Sequence, residues 1–239
     1  MKKHKIRFVV FGQSRSGSTL LVELLNSHPQ VHCDGEIFNK NALFPNFRPL
    51  RWLFRENPSW YLQHKAKNSS TPVYGFKMFF FQVHHPEVFL KWLSTSNFKI
   101  IHVQRENILQ QSLSNIVAMQ TNHWHTREEE VDPSGSITIY PEKLMQVLKN
   151  RNQWKIKEQN LIKDYNHIKI NYEEHLEDDT QWQDAVDKAF RFLGLETCEV
   201  ETSLKPTYKK PYSQIIKNYS ELMQRVKNSD FAYLLDNEN

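Results

Sequence analysis

The feature that most constrains the fold is a glycine-framed loop at residues 12–19, which separates an apolar run from a helical segment. Apart from Arg7, residues 6–11 are apolar, and they are rich in β-branched side chains, as is typical of a buried parallel strand. Residues 20–25 predict a helix that ends near His28-Pro29. In such a unit, backbone N–H groups point into the loop and the helix dipole favours negative charge there. The segment therefore predicts an anion-binding cradle.

The loop has the spacing of a Walker A motif, G-x-x-x-x-G-K-[ST], with one departure. Ser18 occupies the position of the lysine, and the nearest positive charge lies inside the loop at Arg15. In a nucleoside triphosphatase that lysine reaches the β- and γ-phosphates, so its absence favours a shorter anionic chain. A nucleotide phosphosulfate, with one phosphate followed by a sulfuryl group, fits such a loop. The alternative is a plain Gly/Ser turn, but both glycines lie where phosphate binding needs them.

Strands and helices alternate along the rest of the chain. Further strands are predicted at residues 31–38, 75–81, 98–104 and 167–172. Further helices are predicted at residues 86–94, 107–119, 141–163 and 180–193, with the 141–163 helix expected to be exposed and basic. This order predicts an α/β fold with a parallel sheet, right-handed crossovers and flanking helices. No linker divides the 239 residues, so we expect one domain over 1–239.

Composition limits the class of function. The net charge of +4 is mildly basic, which suits anionic ligands but is weaker than a nucleic-acid-binding signature. Two distant cysteines, Cys33 and Cys198, predict neither a disulfide framework nor a metal site. No helix carries an H-x-x-x-H pair with carboxylates, so no metal is expected. No apolar run reaches 18 residues, which argues against a transmembrane helix, and residues 6–11 are too short for a signal peptide.

The loop and the residues that follow it resemble a known enzyme family. Residues 13–21, followed by Asn26-Ser27-His28-Pro29, resemble the 5′-phosphosulfate loop of sulfotransferases, which use 3′-phosphoadenosine 5′-phosphosulfate (PAPS) as donor. The Arg-Ser-Gly-Ser version of the loop resembles the carbohydrate and bacterial nodulation-factor branches more than the cytosolic phenol and steroid branch. The resemblance implies a P-loop-type parallel sheet and assigns donor binding to Gln13, Ser14, Arg15, Ser16, Gly17, Ser18 and Thr19.

The same resemblance carries expectations about the reaction and its setting. It implies PAPS as the donor, adenosine 3′,5′-bisphosphate as the product nucleotide, and no metal. The acceptor would be a hydroxyl of a glycan, a glycolipid or another small metabolite. Golgi members of the family have an N-terminal anchor that this chain lacks, so a cytoplasmic location is expected. The insertions at 39–72 and 120–160 are expected to form a lid over the acceptor.

Two residues are expected to carry the chemistry. Sulfuryl transfer to a hydroxyl needs a base, and carbohydrate- and tyrosine-type sulfotransferases have a glutamate in the place of Glu36, after the His-Pro turn. Asp34 is the nearby alternative for the base. The other interpretation is that Glu36 is a solvated loop acid with no role in the reaction. Lys77 lies in an otherwise apolar strand, where burying an unpaired charge is costly. Family members aim such a lysine at the bridging oxygen of the donor, where it stabilises the leaving phosphate. The alternative is an edge-strand lysine facing solvent.

A second phosphate site is predicted after the strand at 98–104. Arg105 and a serine on the next helix can hold one phosphate between fork donors and a hydroxyl, and this segment resembles the 3′-phosphate motif of the family. Nodulation-type members place the serine at the position of Ser114, which we prefer to Ser112. The alternative for Arg105 is a surface ion pair with Glu106 or another neighbouring residue.

Two further assignments come from the resemblance alone. In relatives a basic loop near the C-terminus closes over the 3′-phosphate, which would be the role of Lys209 and Lys210; a solvated charge run is the alternative. Nodulation-type relatives have a Trp-His pair near Trp124 and His125, which are expected to contact the acceptor or the adenine.

The rival functions are a degenerate nucleotide kinase or triphosphatase and a non-catalytic nucleotide-binding protein. The sequence leaves the oligomeric state open.

Overall fold

The computed structural model describes residues 6–39, 57–124, 137–202, 204 and 210–235. The chain folds into two compact units, and each unit is formed from two stretches. The first unit contains Met1–Gln104 and Lys157–Thr202, and the second contains Arg105–Ile156 and Ser203–Asn239. The single domain over 1–239 stays a prediction.

The first unit is built on a five-stranded sheet in which all neighbouring strands are parallel. The strands are β1 (Ile6–Gly12), β2 (Val31–Glu36), β3 (Val73–Met78), β4 (Phe98–Gln104) and β5 (His167–Asn171). Their order in the sheet is β2-β3-β1-β4-β5, so β1 is central and β2 lies at an edge. The predicted α/β fold with a parallel sheet is confirmed.

Helices connect and follow these strands. In chain order they are α1 (Ser18–Asn26), α2 (Pro58–Asn68), α3 (Pro86–Thr95), α4 (Ile108–Thr121), α5 (Pro141–Ile162), α6 (Tyr172–His175), α7 (Trp182–Leu193), α8 (Tyr212–Ile215) and α9 (Tyr219–Lys227). α7 ends at Gly194, whose φ of 81° is the left-handed geometry common after helices. No helix among the described residues is long and apolar enough to cross a bilayer.

Each unit has its own apolar core. In the first unit, α1 and α7 pack through residues such as Leu21, Leu24 and Phe190 against Phe8 and Val10 of the central strand. This packing fixes α1 on one face of the sheet, directly after the loop. In the second unit, α4 packs with the N-terminal part of α5, α8 and α9 around buried leucine, isoleucine and valine side chains.

Two sequence predictions need correction. The strand predicted at 75–81 ends at Met78, because the N–H of Phe79 bonds to the side chain of Gln82 and a 3₁₀ turn follows at Phe80–Gln82. The helix predicted at 141–163 is present but is not exposed throughout. Arg151 and Glu158 are each only 2% exposed, and their polarity hides the buried side of the helix from an analysis of hydrophobic periodicity.

Candidate active site

The frame of the loop is set by two glycines that the packing of the protein requires. A Cβ on Gly12 would lie 2.3 Å from the carbonyl oxygen of Val103 on the neighbouring strand β4. Gly17 has φ 84°, and its Cβ would lie 2.7 Å from the ring of Tyr172 at the start of α6. Gly17 therefore serves close packing as well as an unusual backbone angle.

Inside the loop, a buried serine closes the turn and a helix begins immediately after it. The hydroxyl of Ser16 is fully buried and donates to the carbonyl oxygen of Gln13 at 2.7 Å. α1 starts at Ser18, and the N–H of Leu21 bonds to the carbonyl oxygen of Gly17. No side chain among the described residues caps this first turn, which also carries no acidic residue. Its N–H groups and dipole thus favour an anion.

The remaining loop side chains have different surroundings. The side-chain amide of Gln13 is 5% exposed and donates to Oε2 of Glu158 at 3.3 Å, a contact that sequence reasoning missed. Ser14 is half-buried, as is Arg15, which has φ 63°. Thr19, in the first turn of α1, accepts a hydrogen bond from a residue of β3.

That donor is Lys77 of β3. Its Nζ donates to Oγ1 of Thr19 at 2.7 Å and lies 3.0 Å from Oε1 of Glu36. Lys77 is only 5% exposed, and its strand lies between β2 and β1, so it is neither an edge-strand residue nor solvent-facing. The structure thus joins three of the predicted site residues through one ammonium group.

A β-bulge at Gly35 brings Glu36 to Lys77. Asp34 is aligned with Phe76 across the β2–β3 pair, but the next aligned pair is Glu36 with Lys77, so Gly35 is the extra residue. Side chains alternate between the two faces of a strand. An uninterrupted strand would therefore place Glu36 on the same face as Asp34, and the bulge moves it to the face of Lys77.

Asp34, the alternative base, lies on the opposite face in a different set of contacts. Its Oδ2 accepts from the hydroxyl of Tyr74 at 2.9 Å and lies 3.5 Å from Nζ of Lys65 on α2. Its Oδ1 lies 3.1 Å from Nε2 of His32. Burial, with the nearby charge of Asp34 as the next cause, raises the pKa of the Tyr74 hydroxyl far above its usual range. Asp34 thus ties the edge strand to a helix.

The carboxylate of Glu36 has two further donors, and sequence reasoning missed both. Nε2 of Gln82 donates to its Oε2 at 2.8 Å, and Nδ2 of Asn39 donates to the same oxygen at 3.1 Å. Gln82 is only 7% exposed. The one available signal was a polar residue directly after the aromatic run at 79–81.

The residues between α1 and β2 fix the position of this edge strand. The side chain of Asn26 pairs with the backbone of Cys33 in both directions: its Nδ2 donates to the carbonyl oxygen at 2.9 Å, and its Oδ1 accepts from the N–H at 2.7 Å. Nδ1 of His28 accepts from the N–H of Gln30 at 3.1 Å. The Asn-Ser-His-Pro stretch is therefore a structural brace that aligns the strand carrying Glu36.

The residues predicted for the 3′-phosphate lie in the second unit. Arg105 directly follows β4, and both candidate serines are buried on α4. The hydroxyl of Ser112 donates to the carbonyl oxygen of Ile108 at 2.6 Å, within its own helix. Ser114 is 3% exposed. Glu106 forms an ion pair with Lys155.

The remaining predicted residues lie at or beyond the limits of the described chain. Trp124 is 40% exposed. Lys210, which precedes α8, is also exposed. His125 and Lys209 lie outside the described residues, as do 40–56 and 125–136 of the predicted acceptor lid. Within the described ranges, no group of three or more His, Cys, Asp or Glu residues could hold a metal ion.

Comparisons with solved structures show the fold. A sulfotransferase from Alicyclobacillus acidocaldarius is 13% identical with a TM-score of 0.54, and the alignment covers 97% of this chain and 93% of that one. Shikimate kinase from Bacteroides thetaiotaomicron is 14% identical with a TM-score of 0.51, over 80% of this chain and 99% of that one. A comparison with curated proteins finds no match. The model of the Sulfotransferase family matches residues 7–199. The chain therefore belongs to the Sulfotransferase family.

Proposed function

We propose that the protein transfers a sulfuryl group from PAPS to a hydroxyl of an acceptor. The observation that carries this proposal is the pair of contacts made by Lys77, which joins Thr19 of the loop to Glu36. A buried cation then contacts both the first turn after the loop and a carboxylate. Sulfuryl transfer needs these three groups: one to hold the donor, one to stabilise the leaving group and one to accept a proton.

Lys77 supplies from a neighbouring strand the ammonium group that the loop lacks at the position of Ser18. In a Walker A motif the lysine occupies the position of Ser18, beside the residue that corresponds to Thr19. Here Ser18 is 3% exposed, and the ammonium of Lys77 reaches the hydroxyl of Thr19 at 2.7 Å. We infer that Lys77 stabilises the charge that develops on the leaving phosphate. The loop amides and the side chain of Arg15 would hold the 5′-phosphosulfate.

Glu36 is the proposed base. The donor supplies the sulfuryl group and a phosphate as leaving group. As the acceptor oxygen bonds to sulfur, Glu36 takes the proton of the acceptor hydroxyl. Its position beside Lys77 supports this role, whereas Asp34 contacts Tyr74 and Lys65 on the other face of β2.

The other assignments follow from the family resemblance. Arg105, Ser114 and the loop with Lys209 and Lys210 would hold the 3′-phosphate, and Ser114 is preferred to Ser112 because it matches the position of the serine in nodulation-type members. Trp124 and His125 would contact the acceptor or the adenine. The Arg-Ser-Gly-Ser loop favours a glycan, glycolipid or other small-metabolite acceptor of the kind used by the carbohydrate and nodulation-factor branches.

Nucleotide binding separates this proposal from a kinase or triphosphatase. By isothermal titration calorimetry without metal, adenosine 3′,5′-bisphosphate should bind more tightly than adenosine 5′-monophosphate, because each charge-assisted phosphate contact is worth about 1.5–3 kcal/mol. Arg105→Ala should remove that difference. ATP with magnesium should bind more weakly than the bisphosphate. Equal affinity for the mono- and bisphosphate in the wild type, or a preference for ATP with magnesium, would contradict the proposal.

A further inference from the structure

The two oxygens of the Glu36 carboxylate are used unequally. Oε2 accepts from two side-chain amides, Gln82 at 2.8 Å and Asn39 at 3.1 Å. Oε1 lies 3.0 Å from the ammonium of Lys77, its only recorded partner among the described residues. Each carboxylate oxygen offers about two lone-pair sites. The amides therefore fill Oε2 and leave one lone pair of Oε1 available.

The amide of Gln82 is fixed in the orientation that makes this contact. Its Oε1 accepts from the backbone N–H of Phe79 at 3.0 Å, and the backbone N–H of Gln82 donates to the carbonyl oxygen of Phe79 at 3.0 Å. Because the oxygen end of the carboxamide already faces a donor, the nitrogen end must face Glu36. Gln82 is 7% exposed, so water does not compete freely for either end.

We propose that Gln82 is a positioning residue for Glu36: with Asn39 it saturates Oε2, so that the acceptor proton is taken at Oε1. The proposal rests on the proposed function, in which Glu36 is the base. In that step the acceptor oxygen bonds to sulfur, and the bond from sulfur to the phosphate oxygen breaks with its electron pair on that oxygen. The hydroxyl proton moves to Oε1. Both amides hold the carboxylate at Oε2 and so fix the position of Oε1 beside Lys77.

The groups near Glu36 on the Lys77 side of the sheet come from three elements. Lys77 of β3 contributes an ammonium group, and Thr19 of α1 contributes a hydroxyl. Burial raises the pKa of the Cys33 thiol, on the same strand as Glu36, so that this group stays neutral.

The first experiment compares pH profiles of kcat/KM. Gln82→Met removes the amide at similar length, and Asn39→Ala removes the other donor without touching the turn at Phe79. Removing a donor to the charged carboxylate should move the acidic limb of the profile to higher pH in both variants. The KM for the donor should stay unchanged. A uniform loss of rate with an unmoved acidic limb in either variant would overturn the proposal.

The second experiment needs neither donor nor acceptor. The ¹⁵N-labelled side-chain amide of Gln82, assigned by its loss in Gln82→Met or, if that variant does not fold, by selective labelling, should shift as Glu36 titrates. The shift should vanish in Glu36→Gln. If the amide responds but the wild type transfers no sulfuryl group, the proposed function fails while the contact stands. If the wild type transfers sulfuryl groups and the amide does not respond, the positioning role is wrong.

Discussion

The two faces of β2 carry two carboxylates with unlike surroundings, although Asp34 and Glu36 are separated by a single residue. Glu36 lies 3.0 Å from the ammonium of Lys77, which is 5% exposed and contacts the first turn after the glycine-framed loop. Asp34 accepts from the hydroxyl of Tyr74 and lies near Lys65 of a surface helix. The first carboxylate connects the sheet to the loop, and the second connects it to α2. The bulge between them decides which acid lies on the face of Lys77.

The largest expected effect separates the two carboxylates by rate. Glu36→Gln keeps the size of the side chain but removes its ability to take a proton at neutral pH. A general base contributes about 10²–10⁴-fold, so kcat should fall by that factor with little change in affinity for adenosine 3′,5′-bisphosphate. Asp34→Asn, measured in the same transfer assay, should stay within about threefold of the wild type, a margin below the smallest contribution expected of a base. A fall in Asp34→Asn with wild-type turnover in Glu36→Gln would assign the base to Asp34.

The next effect concerns the cation on the Glu36 face. Lys77→Met keeps an unbranched chain but removes the charge, and the loss of one group that stabilises developing charge costs about 10²–10³-fold in kcat. Lys99→Met is the matched control, since Lys99 is a half-buried lysine of the same sheet that bonds to the carbonyl oxygen of Phe192. Steady-state kinetics should show the rate loss for Lys77 alone. An equal loss in both variants would mean that the charge acts through stability.

On the Asp34 face the expected effect is on stability. Asp34→Ala leaves the buried hydroxyl of Tyr74 without its acceptor, which costs about 1–3 kcal/mol of unfolding free energy in urea. Tyr74→Phe removes the other partner, so the double variant should lose less than the sum of the single variants. Strict additivity would show that the hydrogen bond contributes nothing measurable.

The smallest effect is alkaline and involves one group from each face. Burial raises the pKa of the Cys33 thiol and of the Tyr74 hydroxyl, so both stay neutral in the folded state while the unfolded chain ionises near its ordinary values. Folding stability should therefore fall as the pH rises above about 8.5. Cys33→Ala should reduce the difference in urea midpoint between pH 7 and pH 10. An unchanged difference would argue against burial of the thiol.

Much of the fold follows from local sequence. The largely apolar runs before the loop and at β4 predict buried parallel strands. For β4 the predicted range, 98–104, is the same as the observed Phe98–Gln104. The glycine spacing places the loop, and the lone charge of Lys77 in an aromatic strand predicts a special environment. These features can be predicted because each depends on residues that are consecutive in the sequence.

The features that were predicted wrongly or missed depend on contacts between residues that are not adjacent in the sequence. The bulge at Gly35 is a matter of register with β3, and nothing lies within 4 Å of the position where a Cβ would be, so the glycine itself gives no signal. The early end of β3 depends on a hydrogen bond from Phe79 to Gln82. Glu158 is polar in sequence and buried in the fold, where it accepts from Gln13. Such pairings are set by tertiary structure.

The central claim is tested most directly by following the sulfuryl group itself. Wild-type protein is incubated with ³⁵S-labelled PAPS and a panel of hydroxyl acceptors in the presence of EDTA, and both products are quantified, with Lys77→Met as the inactive control. We predict that labelled acceptor and adenosine 3′,5′-bisphosphate form in equal amounts and that chelation has no effect. Release of the nucleotide without labelled acceptor across the panel, or transfer of phosphate from ATP only when magnesium is restored, would contradict the account.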